Sequence, residues 1–127
     1  MALALDGIAP LLHVLDMARS VAFYRDVLGF AVMATAPHGA AEYDWCMLAL
    51  GEIAIMLERA ARPADGAAPG AASRISLYFG CPDVDAAHAV LLARGWPSPS
   101  PVTTSYGMRQ LIVRDPDGFE LCFQHPV

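Results

Sequence analysis

Side chains able to do chemistry are few in this chain, and they alternate with apolar ones along short runs. In the closing stretch "RDPDGFELCFQHPV", Glu120, Cys122 and Gln124 share one face of a strand if Phe119, Leu121 and Phe123 point to the core. A carboxylate there could bind a metal, wall a pocket or simply stand in solvent. His13 sits in "LLHVLD", where ligand contact, proton transfer and metal ligation compete with a hydrogen-bonded pocket histidine. Tyr43, Trp45 and Met47 alternate on another run, opposite Asp44, Cys46 and Leu48. Aromatic rings and thioethers give an apolar ligand large contact area and adaptable packing, and they suit a core equally well. The same alternation makes Tyr78, Met108, Gln110 and Ile112 pocket candidates and puts Arg109 on the opposite face, placed to anchor a carboxylate across the sheet. Cys122 as a nucleophile needs a depressed pKa and a basic neighbour, which the sequence does not supply. Glu58, at the end of its run, reads as a solvated edge residue, and His38, His88 and His125 read as exposed.

The elements that must position these residues come in two copies. "LLHVLDMARSVAFYRDVLGF" reads as strand, Asp16 N-cap, helix and Gly29 stop, with Met17, Val21, Tyr24 and Leu28 at helical spacing. "ISLYFGCPDVDAAHAVLLARGW" repeats that order with Asp83 as cap, Val84, Ala87 and Leu91 as the buried stripe, and Gly95 as stop. The two caps are 67 residues apart (83 − 16), and an aromatic residue, Phe30 or Trp96, follows each stop. Strand-like runs follow each helix: "FAVMATA", "EYDWCMLAL" and "EIAIMLE" after the first, then "GMRQLIVR" and "FELCFQH" after a Pro- and Ser-rich approach in the second. Pro116 and Gly118 in "RDPDGF" demand a tight hairpin turn. The chain is therefore expected to be a single α+β domain over 1–127 made of two βαβββ modules. Module one covers about 6–60, an Ala/Gly/Pro-rich flexible connector about 61–72, and module two about 73–127.

Composition excludes several classes. With 56% apolar and 17% charged residues the chain is not disordered, and 127 residues suffice for one real core. No apolar run approaches the roughly 20 residues of a membrane span. Asp6, Gly7 and Pro10 interrupt the opening, so no signal peptide is expected. A net charge of −5 argues against nucleic acid as partner. Three cysteines without a CxxC pattern suggest reduced thiols and a cytoplasmic location.

The combination of "LDMARSVAFYRDVLGF", "PDVDAAHAVLLARGW" and "YGMRQLIVRDPDGFEL" resembles the vicinal oxygen chelate superfamily, which holds glyoxalase I, bleomycin-resistance proteins and extradiol dioxygenases. The resemblance covers nearly the whole chain. It implies paired modules curling into a U-shaped, partly closed mixed sheet with flanking helices, around a cavity, and a homodimer. It also implies a divalent metal held by two side chains from each module, on its first and last strands. Counting from the repeated caps, those four positions fall on Ala9, Met56, Ser76 and Cys122, none of them a good donor for a hard cation. A one-residue slip lands on Leu57, Leu77 or Leu121; a two-residue slip, which keeps the strand face, brings in Glu58 and Glu120, and His13 shares parity with Ala9.

The leading expectation is thus a bleomycin-resistance-like binding protein with no metal and no cofactor. It would sequester a hydrophobic or cationic small molecule, an antibiotic or aromatic metabolite, between modules or at a dimer interface. His13, Tyr43, Trp45, Met56, Tyr78, Met108, Gln110, Glu120 and Cys122 are its candidate ligand-binding residues. The alternative is a lyase, isomerase or dioxygenase with a displaced metal on His13 and Glu120. A cofactor-free enzyme using His13 as general base, and an interaction module with a vestigial pocket, also stay open; no catalytic residue is assigned.

Overall fold

The computed structural model describes residues 1–62 and 65–127. Module one runs β1 (Leu11–Val14), α1 (Met17–Ala22), β2 (Ala31–Ala36), β3 (Trp45–Leu50) and β4 (Ile53–Arg59). Module two runs β5 (Ser76–Gly80), α2 (Val84–Ala93), β6 (Val102–Thr103), β7 (Met108–Arg114) and β8 (Glu120–Pro126). Each module forms a mixed four-stranded sheet, ordered β1-β4-β3-β2 and β5-β8-β7-β6, with the first strand parallel to the last. The topological identity of the two sheets confirms the internal repeat. The α+β architecture is as expected, with the curled sheet realised as two ladders and neither closed into a barrel.

The repeated signals do the same local work twice. Asp16 Oδ1 accepts from the Arg19 amide and Asp83 Oδ1 from the Ala86 amide, both at 3.0 Å. Gly29 and Gly95 end the helical segments at φ 94° and 78°, conformations that cost a glycine little. The aromatic residue after each stop then donates its amide back to a helix carbonyl, Phe30 to Tyr24 and Trp96 to Leu91. Two boundaries differ from expectation. A π-helical turn, Phe23–Val27, follows α1; its wider turn lets the consecutive Phe23 and Tyr24 both be buried. Strand β3 starts at Trp45 because its ladder partner β2 ends at Ala36, and Pro37 beyond has no amide hydrogen to extend it.

One face of each sheet is covered by a helix. Leu12, Val14, Cys46, Leu48, Ile55 and Leu57 from module one, and Leu111, Val113 and Leu121 from module two, join Met17, Val21, Phe23, Tyr24, Val84 and Leu91 in one apolar core. Arg109, on the helix side of β7, pairs with Asp85 of α2 at 2.8 Å, which places the carboxylate expected across the sheet from it.

The modules are joined most firmly where the Asp-Pro-Asp-Gly turn between β7 and β8 meets the first helical segment. Asp117 accepts from the Leu15 amide (3.2 Å) and the Ser20 hydroxyl (3.1 Å), and Asp115 accepts from the Tyr24 hydroxyl at 2.7 Å. Inside the turn Asp115 also takes the amides of Asp117 and Phe119, each at 2.9 Å. Both aspartates are buried, and a buried carboxylate is tolerated only when its oxygens are satisfied in this way. Burial pushes the Asp115 carboxyl above its ordinary range, opposed by the hydrogen bonds it accepts. The 61–72 connector, expected to be flexible, is held at its far end: Gly70 is buried and donates to the Asp117 carbonyl at 3.0 Å. Positions 63 and 64 of that connector lie outside the described residues.

Candidate functional site

The faces turned away from the helices carry the side chains singled out in the sequence. On module one, strand register sets His13 beside Glu58 and Glu58 beside Trp45, with Ala36 completing the row. The next row is Leu11, Met56, Met47 and Ala34. Apart from the exposed Leu11, His13 and Ala36, these are half-buried, and among the described residues none bonds the His13 or Glu58 side chain.

Module two presents three rows. In the first, Ser76, Glu120 and Arg114 align; the Ser76 hydroxyl donates to Glu120 Oε1 at 2.7 Å, and Arg114 Nη2 lies 3.2 Å from Oε2. The second is Tyr78, Cys122 and Ile112, with Tyr78 55% exposed and Cys122 fully buried. Burial pushes the Cys122 thiol up despite a hydrogen bond with Tyr78, and the Cys122 sulfur, followed by burial, raises the Tyr78 phenol. Both groups are therefore neutral at physiological pH, and Cys122 lacks the thiolate character a nucleophile needs. The third row is Gly80, Gln124, Gln110 and Val102; Gln110 Nε2 donates to Gln124 Oε1 at 2.9 Å and to the Tyr106 hydroxyl at 3.2 Å.

Register thus brings His13, Trp45 and Met56 together on one face and Tyr78, Gln110, Glu120 and Cys122 on another, with Met108 next to Gln110 along β7. Tyr43 stands apart. It precedes β3 and lines a cavity of about 550 Å³ on the helix side, with Asp16, Met17, Arg25, Glu42 and Arg59. Sequence alternation placed Gln124 on the face of Glu120 and Cys122 but did not single out Arg114 or Tyr106. Arg114 belongs to a strand already predicted and is found by extending the period one step beyond Ile112; Tyr106 lies in a turn, where alternation has no meaning. His88 and His125, expected in solvent, are half-buried, with Nδ1 3.1 Å from Ser98 Oγ and 2.9 Å from the Pro126 carbonyl.

A divalent cation is implied by the fold family, and its four counted positions can now be tested by donor chemistry. Ala9 offers no side-chain donor and Met56 a soft thioether; Ser76 gives its hydroxyl hydrogen to Glu120, and Cys122 is a buried neutral thiol. That set does not fit a hard cation. Among the described residues no three His, Cys, Asp or Glu side chains converge, and no helix is long and apolar enough to cross a membrane.

Comparison with known proteins agrees with this architecture. The model of the Glyoxalase/Bleomycin resistance protein/Dioxygenase superfamily matches residues 6–123. TnmS3, an antibiotic binding protein from Streptomyces sp. CB03234, superposes with a TM-score of 0.75 at 26% identity, covering 99% of this chain and 100% of its own. TioX from Micromonospora sp. ML1 gives 0.77 at 22% identity, with 96% and 99% covered. The bleomycin-binding protein of Streptomyces verticillus, solved with copper(II)-bleomycin, gives 0.70 at 21% identity, with 96% and 97% covered. No functionally curated protein matches the sequence. With two modules of identical topology and a family match across nearly its full length, the chain belongs to the glyoxalase/bleomycin resistance protein/dioxygenase superfamily.

Proposed function

We propose that this protein captures a hydrophobic or cationic small molecule, an antibiotic or aromatic metabolite, on the helix-free faces of its sheets, without a metal and without turnover. The observation that carries this reading is the content of those faces. At two of the positions where a chelating member would hold donors this chain has Met56 and a buried Cys122, flanked by Met47 and Trp45 on one module and by Tyr78 and Ile112 on the other. Such a surface gains from covering an apolar ring, at about 25 cal/mol per Å² removed from water. Glu58, level with Trp45 and outside any ion pair among the described residues, supplies the carboxylate for a cationic ligand. Glu120 serves less well, because Arg114 already neutralises it and Ser76 occupies its other oxygen. The same engagement speaks against a displaced metal on His13 and Glu120. TnmS3, an antibiotic binding protein, and the bleomycin-binding protein of S. verticillus support the class of ligand.

The reading includes a homodimer. Met1, Leu3, Leu5 and Ile8 are all more than 80% exposed, and Tyr78 and Ile112 add apolar area on the open face. A second copy covering them would also enclose the ligand. Three free cysteines suit a reducing compartment, the cytoplasm. Two measurements test the proposal. Titration with aromatic antibiotics, read by quenching of Trp45 fluorescence, should saturate with recovery of unmodified ligand. Metal analysis of protein purified without chelators should find substoichiometric metal; a full equivalent of nickel, zinc, iron or manganese would overturn it.

A further inference from the structure

On the helix side of the sheets, a cavity of about 270 Å³ takes its walls from both modules. Module one contributes Val27, Leu28 and Phe30 at the end of its helical segment, with Leu50 and Ile53 on either side of the β3–β4 turn. Module two contributes the rings of Phe79 and Phe123, stacked with centroids 5.2 Å apart, and one face of α2. On that face Ala87, Val90, Leu91 and the C-cap Arg94 follow at three- and four-residue spacing, as neighbours on a helix surface do. Leu50, Ile53 and Val90 are aliphatic, yet they keep 43%, 38% and 42% of their surface exposed. A hydrocarbon lying in the cavity gains by covering them.

Arg94 is the only charged residue among those lining the cavity. Its Nη1 donates to the Val27 carbonyl at 2.7 Å, a bond that crosses between modules and holds the guanidinium at the rim. Nε and Nη2 keep hydrogens to give, and among the described residues no carboxylate pairs with Arg94. We infer that this cavity binds a small hydrophobic monocarboxylate, its chain against Phe79, Phe123 and the aliphatic residues, and its carboxylate on Arg94. An acid is preferred to an alcohol or amine of equal length because a guanidinium offers donors only, in a fork that matches a carboxylate. The volume falls just under the roughly 300–1,000 Å³ typical of sites for drug-sized ligands, so the guest is a short chain. This site is separate from the open faces: Phe79 and Phe123 pack on the core, on the side of their strands opposite Tyr78 and Cys122.

Octanoate, octan-1-ol and octylamine share a chain and differ in head group. Titrating each calorimetrically into the whole protein isolates the part played by charge. Octanoate should bind about five- to tenfold more tightly than octan-1-ol, as a partly exposed charge-assisted pair allows, and octylamine should bind most weakly. In Arg94→Gln the ratio of acid to alcohol affinity should fall toward one. Val90→Trp, which fills the mouth, should weaken all three. Both substitutions change exposed positions, so the fold survives them. Location is read at Cys81, a half-buried thiol lining the cavity, whereas Cys46 and Cys122 are fully buried. Saturating octanoate should slow alkylation of Cys81 by N-ethylmaleimide, followed by peptide mass spectrometry. Equal binding of acid and alcohol, a ratio that survives Arg94→Gln, octanoate binding that leaves Cys81 unprotected, or no binding at millimolar octanoate would each overturn the assignment. None of these outcomes bears on capture at the open faces.

Discussion

The two modules share strand order, cap, stop and trailing aromatic, yet their open faces are built differently. Module one offers an apolar, sulfur-rich surface of Leu11, Met47, Met56 and Trp45, with His13 and Glu58 side by side and unengaged among the described residues. Module two offers a wired surface: Ser76, Glu120 and Arg114 are bonded to one another, as are Gln124, Gln110 and Tyr106, with Tyr78 and Ile112 between the two networks. The turns contrast as well. Gly51 and Glu52 link β3 to β4 at the surface, whereas Asp115 and Asp117 carry the corresponding turn of module two into contact with the first helix. Duplication of a backbone plan thus leaves side chains free to divide labour. One face supplies contact area, and the other supplies orientation.

The largest expected effect tests the contact half of that division. Trp45→Ala removes the main ring of module one and should weaken an aromatic ligand by about 2 kcal/mol, roughly 30-fold, in a fluorescence-independent dialysis assay. A loss no larger than that from Met108→Ala would mean that module one does not carry the contact.

Next in size is the junction between modules. Tyr24→Phe deletes one of three donors to Asp115 and should cost about 1–2 kcal/mol in urea unfolding. The pH dependence has a definite sign. Burial holds the folded Asp115 carboxyl above the ordinary value for an aspartate, so its contribution to stability is fully present below that ordinary value and is lost as pH rises through the higher folded value. Asp115→Asn keeps an acceptor for the two turn amides and removes the titration. The stability difference, wild type minus Asp115→Asn, should therefore fall as pH rises above the ordinary carboxylate range; a difference that rises with pH would show that hydrogen bonding, not burial, sets this group's titration.

The smallest effect sharpens the contrast in charge. Arg114→Gln releases Glu120 from a half-exposed ion pair worth no more than about 1 kcal/mol. Binding of a cationic dye such as proflavine should strengthen by a few-fold at low salt and lose that gain at high salt. No change would place the cation on the Glu58 side.

Much of this organisation was legible from residue types. Asp16 and Asp83 mark helix starts because an N-cap needs a short acceptor, and Pro116 with Gly118 marks a hairpin because few other pairs tolerate those dihedrals. The alternation around Glu120 and Cys122 correctly predicted their common face. Tyr43 shows where that reasoning stops: parity is defined only while a ladder lasts, and β3 has not begun at that position. Glu120 shows a second limit. Its face followed from period two, but its partner Arg114 lies six residues away across a hairpin, and only the β7–β8 register makes them neighbours.

Local chemistry by itself determined the two modules, their caps and turns, and the absence of good donors at the four counted positions, since each depends on a residue and its near neighbours. Tertiary structure alone decided what those residues are worth. It buried the turn aspartates against the first helix, spent both hydrogens of the Gln110 amide on Gln124 and Tyr106, and neutralised Glu120. The reason is physical: the strength of a charge or a hydrogen-bonding group depends on burial and on partners, and both are set by contacts between segments remote in sequence.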